Sequence, residues 1–238
     1  AWAALLARSI AGRGAGLVAA IFLACNIVHV RQSGLAAPDI PLACWSTGAI
    51  WAALRLLHSE RADNYAIAGL LLGLATSCKY PAAALAPAIL AAHLAAHRGL
   101  ADRRLALAGA LALGAFLLTS PYVLWDYPLF AKHFLEQIDH VQTGRGQGGW
   151  GFHAWTSLRS GVGTLGWLAT WASIGCIAYR WRREGLVLLT AAGCFYIAIS
   201  WGKLAFVRYG LPLLSLQAVL LAVGWSTLPA KRWRYIIL

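Results

Sequence analysis

Three pairs of residues in this chain carry charge or hydroxyls where an apolar sequence has least reason to place them. Arg31 and Asp39 bracket a short polar stretch, 31–41, between the apolar runs 14–30 and 42–57. Lys79 and Tyr80 stand directly before Pro81, and Arg208 and Tyr209 precede Pro212 in an otherwise apolar segment. A charged side chain at the centre of a bilayer costs roughly 2.5–3.5 kcal/mol on insertion scales, so charge held at the ends of apolar runs needs a reason. Arginine presents paired donors and lysine a point charge, and both suit a lipid-linked phosphate. Each residue also has a plainer reading. Asp39 can cap the helix that begins there, with Pro41 in its first turn. Arg31 and Lys79 can snorkel to lipid head groups. His29, Tyr122, Asp126, His140 and Lys203 gather on the same side. The two histidines read as structural or interfacial rather than as metal ligands.

The elements that must position these residues are membrane helices. The chain of 238 residues is 60% hydrophobic and 12% charged, with mean hydropathy +0.65. Soluble domains carry about 25% charged residues. The apolar runs are continuous rather than alternating, which excludes a β-barrel and specifies an all-α polytopic bundle. Ala1 to Ile10 reads as the tail of a helix, and Gly12-Arg13-Gly14 as a tight turn. Full spans follow at Gly14–Val30, Asp39–Leu57, Tyr65–Lys79, Pro81–His97, Arg104–Thr119, Leu165–Tyr179, Leu186–Trp201 and Ala205–Trp225. Pro81 disfavours helix at Tyr80 and suits a helix start, so the stretch 65–97 divides there. As one helix it would run about 50 Å, against a hydrocarbon core of about 30 Å. The expectation is therefore about eight full spans plus a partial first helix, in one transmembrane domain covering 1–238.

The longer segment 122–159 is expected outside the membrane, with an amphipathic helix at Tyr127–Val141 and a glycine-rich loop at Gly144–Gly149. That loop lacks the G-x-x-x-x-G-K-[ST] pattern and follows no strand, so it reads as a lid or plain loop and not as a nucleotide cradle. The chain starts inside an apolar run and contains no Met. It is accordingly expected to be truncated at its N-terminus.

The formal net charge of +12 does not indicate nucleic acid, because the basic residues sit in short groups between apolar runs. Alternating the loops between two sides places Arg8, Arg13, Arg55, Arg61, the Arg98–Arg104 turn, Arg180–Arg183 and Lys231–Arg234 together. Arg31, Lys79, Lys132, Arg145, Arg159, Lys203 and Arg208 fall opposite. The richer side is cytoplasmic by the positive-inside rule. The candidate site then faces outward, periplasmic or extracellular, in what reads as a bacterial inner membrane. The five cysteines lie in or beside apolar runs without metal-ligand spacing.

Several stretches, taken in order, resemble the polytopic, lipid-carrier-dependent glycosyltransferases related to protein O-mannosyltransferases and aminoarabinose transferases. They are Leu6–Arg13, His29–Ser33 with Pro38-Asp39, Gly69–Ala75 with Lys79-Tyr80-Pro81, Ser120-Pro121-Tyr122 and Arg208–Pro212. The resemblance implies transfer of a sugar from a polyprenyl-phosphate carrier to a protein, lipid or glycan acceptor on the outer face. It implies that an acidic residue in a first outer loop acts as the base. That loop would precede Arg8, so the fragment alone is expected to be inactive. By the same resemblance Asp39 would orient the acceptor or a cation, and Lys79 and Arg208 would face the phosphate. Arg31 would hold Asp39 or the phosphate, with Tyr80 and Tyr209 beside them. The implied partners are membrane lipids and the lipid-linked sugar. The cofactor stays open: a divalent cation is compatible with the chemistry, and no metal site is defined. A transporter or lipid-binding scaffold is the rival reading. It calls for ionisable groups near mid-span and for related halves, whereas here the charges cluster at span ends.

Overall fold

A computed structural model describes residues 1–59, 61–96, 98–144, 146 and 148–226. The Lys231–Arg234 tail, and Arg145 within the glycine-rich loop, lie outside the described residues. The architecture is all-α, with no strand among the described residues. In chain order the helices are α1 (Trp2–Ala24), α2 (Ile27–Ser33), α3 (Asp39–Leu56) and α4 (Ala62–Cys78). A 3-10 turn (Tyr80–Leu85) leads into α5 (Ala86–Ala95), followed by α6 (Arg103–Thr119), α7 (Tyr122–Trp125) and α8 (Tyr127–Thr143). Next come α9 (Trp150–Phe152), a π-helical turn (His153–Ser157), α10 (Leu158–Arg180) and α11 (Arg182–Ser200). A second 3-10 turn (Val207–Gly210) precedes α12 (Leu211–Trp225).

Four helical stretches are long and apolar enough to cross a membrane: Trp2–Ala24, Trp150–Arg180, Arg182–Ser200 and Val207–Trp225. Two of them are folded back on themselves. Gly12 (φ +86°, ψ −176°) and Gly163 (φ +69°, ψ −179°) occupy a backbone region open essentially to glycine alone. In a straight helix Ala154 and Trp167 would stand about 20 Å apart along the axis. Instead the Trp167 indole N–H donates to the Ala154 carbonyl at 2.6 Å, and the Trp155 and Trp167 rings lie 4.9 Å apart. Likewise a Cβ built on Gly16 would fall 2.9 Å from the Ala4 carbonyl oxygen. The Gly12-Arg13-Gly14 turn is thus a true reversal.

The expected span Gly14–Val30 is broken in the structure. Helix α1 stops at Ala24, and Asn26 starts α2 by accepting the His29 N–H on its side-chain oxygen at 3.0 Å. A polar residue able to cap was hidden inside an apolar run. The segment after Thr119 is more helical than a loop. Helix α8 covers 127–143, and the next helical stretch already begins at Trp150, ahead of the expected end at residue 159.

Helix α12 is the buried centre of the bundle, with every residue from Leu211 to Gly224 buried, and α1, α10 and α3 pack around it. Helix α4 lies between α3 and α6. Its approach to α6 depends on Gly69 and Gly73, where an added Cβ would come within 2.1 and 2.3 Å of the Ala108 and Ala112 carbonyl oxygens. Membrane helices associate through such small-residue stripes because lipid supplies no hydrophobic drive between them. The ends of α4 and α6 are thereby held side by side, with the Ser77 and Thr119 hydroxyls 2.5 Å apart. One end of the bundle collects the start of α3, the end of α4, the end of α6 and both 3-10 turns.

Candidate functional site

At that end, Pro38 occupies the N-cap position of α3 and Asp39 its first turn; the cap position makes no side-chain hydrogen bond. The Asp39 side chain is only 2% exposed and is engaged by the Lys79 ammonium. Its position near a helix N-terminus is also favourable for a carboxylate, by about 0.3–1 kcal/mol or somewhat more where partly buried. The plain capping role falls instead to Asp126, which starts α8 by accepting the Leu129 N–H at 3.2 Å.

Lys79 owes its place to the break between two helices. Its own N–H closes α4 on the Ala75 carbonyl, and its backbone is extended (φ −157°, ψ 133°). Pro81, in the next turn, has no N–H to donate there. The extended residue turns its side chain across to α3. On its other side the ammonium stands 4.3 Å from the centre of the Tyr209 ring. A cation over a tyrosine face is attracted by the ring quadrupole.

Tyr209 and Arg208 belong to the 3-10 turn before α12, where the Tyr209 N–H is held by the Phe206 carbonyl at 3.0 Å. The Arg208 guanidinium lies 5.1 Å from the Phe206 ring centre and 5.9 Å from that of Tyr209. Arg208 is exposed and forms no ion pair among the described residues. The site therefore holds one buried carboxylate neutralised by one lysine, with an exposed arginine next to the tyrosine that faces that lysine.

Tyr80 points to a second wall. Its hydroxyl meets that of Tyr122 at 2.9 Å, and its ring takes edge contacts from Phe116, Phe130 and Phe134. Its phenol is pushed up to about 12, first by burial and then by the bond to Tyr122. Helix α8 is the strap over this wall. Its far end is tied down where the Lys203 and Leu204 N–H groups donate to the Val141 carbonyl at 2.9 and 3.2 Å. The Gly148 N–H then donates to the Lys203 carbonyl at 2.8 Å, an approach that leaves no room for a Cβ at 148.

The structure thus brings together Asp39, Lys79, Arg208 and Tyr209, with Tyr80 and Tyr122 adjoining through the Lys79-Tyr80 turn. Arg31 does not pair with Asp39. It lies exposed on α2 without an ion pair among the described residues, because Lys79 already occupies the carboxylate. His29 is half-buried, and His140 is exposed on α8. No group of three or more His, Cys, Asp or Glu side chains is placed to hold a metal among the described residues. Sequence reasoning missed His153 and Ser157, which are buried directly behind the Arg208–Tyr209 turn. Their i, i+4 spacing in a polar-looking stretch was the available signal.

Residues 2–125 match the model of the dolichyl-phosphate-mannose-protein mannosyltransferase family. No curated protein and no solved structure matches the chain. The matched region contains Arg31, Asp39, Lys79, Tyr80 and Tyr122. Arg208 and Tyr209 lie beyond it and reach the same site through the fold.

Proposed function

The chain belongs to the dolichyl-phosphate-mannose-protein mannosyltransferase family and is an integral membrane glycosyltransferase, and from that premise we propose how it works. The donor is a sugar on a polyprenyl phosphate, and the acceptor is a hydroxyl of a protein, lipid or glycan. The acceptor oxygen attacks the anomeric carbon, the bond from that carbon to the phosphate oxygen breaks, and the acceptor proton passes to a base. The leaving group is the polyprenyl phosphate, whose charge grows as the bond breaks. Fixed cations aimed at that position stabilise the transition state most effectively.

Arg208 and Lys79 are the residues assigned to the phosphate. Arg208 supplies outward-facing paired donors. Lys79 supplies a point charge held by Asp39 on one side and Tyr209 on the other. Asp39 orients Lys79 and, beside it, the acceptor. Tyr80 and Tyr209 shape the walls, and Arg31 remains available to the carrier at the rim. The observation that carries this reading is a chain of contacts that runs from buried Asp39 to Lys79, both in the family-matched region, then to Tyr209 and from its ring to Arg208, both outside it. The loop charge asymmetry favours placing the site end on the periplasmic or extracellular face of a bacterial inner membrane.

The test is mannose transfer from polyprenyl-phosphate [3H]mannose by the full-length protein in proteoliposomes. Arg208→Ala is expected to lower kcat by about 10²–10³, the effect typical of removing one transition-state donor. Asp39→Asn is expected to abolish transfer while membrane insertion stays intact. Wild-type transfer by both variants would remove the site assignment.

A further inference from the structure

The turn that carries Arg208 and Tyr209 needs support from below, since its residues make few bonds of their own. That support comes from an unusual piece of backbone. His153–Ser157 form a π-helical turn, closed by the Leu158 N–H on the His153 carbonyl. Such turns are rare and recur at functional sites. The wider turn puts His153 and Ser157 on one face, both 0% exposed, with His153 Nδ1 and Ser157 Oγ 2.8 Å apart. His153 Nε2 is buried without a hydrogen-bond partner among the described residues. The pair is thus polar, buried and only partly satisfied from its own surroundings.

Gly210, the residue after Tyr209, rests on this pair. A Cβ added there would stand 3.1 Å from Ser157 Cβ and 3.6 Å from both His153 Nδ1 and Ser157 Oγ. The contact is tight enough that a Cβ at 210 makes the turn or the pair give by a few tenths of an ångström. The seat is itself fixed on its far side. The Gln217 amide donates to the Leu158 carbonyl at 2.9 Å and to Thr170 Oγ1 at 3.0 Å. Gly161 abuts Asn26, the residue that starts α2.

We infer that His153 and Ser157 are positioning residues of the transferase site: they form a seat that sets the height of the Arg208–Tyr209 turn and so the distance from Tyr209 to Lys79. The inference rests on the assignment of Arg208 and Lys79 to the donor phosphate. Neither His153 nor Ser157 touches the reacting atoms. Their effect passes through Gly210 to the two residues before it.

The experiment uses the full-length, membrane-embedded protein with its cysteines replaced. An Arg208→Cys thiol reports the position of the turn through its labelling rate with a charged maleimide. Gly210→Ala is expected to change that rate, and adding Ser157→Gly, which removes the opposing Cβ, is expected to return it toward the parent. With Arg208 intact, Gly210→Ala should raise KM for polyprenyl-phosphate mannose, or lower kcat, by about tenfold, in the range expected for misplacement of less than 1 Å. The double variant should recover most of that loss. Ser157→Ala keeps the Cβ under Gly210 and loses only the bond to His153, so it tests the pair in a well-folded protein and should give a smaller change in the same direction.

Parental labelling in Gly210→Ala overturns the seat, and so does a change that Ser157→Gly does not relieve. If labelling shifts and is relieved while transfer ignores both Gly210→Ala and Arg208→Ala, the seat stands. The assignment of Arg208 to the donor then fails instead.

Discussion

The two ends of the helix bundle treat charge in opposite ways. At the end away from the site, polar groups close on one another. Arg98 donates to the Leu56 carbonyl at 2.6 Å and to the Tyr65 hydroxyl at 3.0 Å; that hydroxyl meets His93 Nδ1 at 2.7 Å, and His93 Nε2 meets the Gly99 carbonyl at 2.9 Å. The guanidinium of Arg104, which also binds Asp102, lies 5.7 Å from the Tyr65 ring centre. Tyr65 and His93 are fully buried. The network ties the end of α3 to α4, α5 and the turn before α6, with Arg98 Nε left buried without a partner among the described residues. At the site end the pattern stays open. Lys79 is held by one carboxylate and one ring, and Arg208 faces outward. A closed network spends its donors on the fold, whereas an open one leaves them unspent. Both ends carry arginine beside tyrosine, so composition alone does not separate them. The difference lies in whether the donors are already used.

Lys79→Ala should break this comparison most sharply. It leaves Asp39 buried without its cation, and removing one partner of a buried pair costs about 3–5 kcal/mol. The melting temperature in detergent should fall well below that of the parent, and transfer should be lost. Replacing Asp39 as well, as Lys79→Ala with Asp39→Ala, should recover most of the stability and none of the transfer. Recovery of both would mean that the pair is merely structural. At the closed end, His93→Leu removes one hydrogen-bond partner from Tyr65 and one from Gly99. That should cost about 1–3 kcal/mol, while kcat per folded molecule stays at the parental value. A fall in kcat would show that the two ends communicate.

The sequence disclosed the fold through continuous apolar runs and through breaks at Gly12 and Pro81, because those features act locally on the backbone. The break at Asn26 was not legible, since one capping residue in an apolar run looks like a tolerated polar substitution. The site was partly legible. Lys79, Tyr80, Arg208 and Tyr209 stand out as charge and hydroxyl at the ends of apolar runs. Which cation meets Asp39 was not readable. Arg31 is the nearer in sequence, but the extended backbone at Lys79 and the close α4–α6 packing decide the partner in space. His153 and Ser157 stayed hidden for a similar reason, as their role depends on a π-turn and on a chain reversal ten residues later.

The smallest expected effect also tests the distinction between closed and open ends. Arg61 and Asp63 form an ion pair at 2.5 Å near the closed end, with side chains 75% and 66% exposed. The guanidinium holds the Asp63 carboxyl below its usual range, mainly through their hydrogen bond. The pair looks strong by distance alone. Water and salt nevertheless screen exposed pairs, and ordering two mobile side chains offsets the gain. Arg61→Ala should therefore leave the melting temperature and the transfer rate unchanged within error, at low and high salt alike. The folded carboxyl titrates below its unfolded value, so any contribution from the pair is present above the unfolded pKa and disappears as pH falls through the folded one. A clear drop in melting temperature for Arg61→Ala at neutral pH would show that the closed end draws stability from its surface as well as from the buried Tyr65–His93–Arg98 network. Exposure would then no longer distinguish the charges that build the fold from those kept free for a ligand.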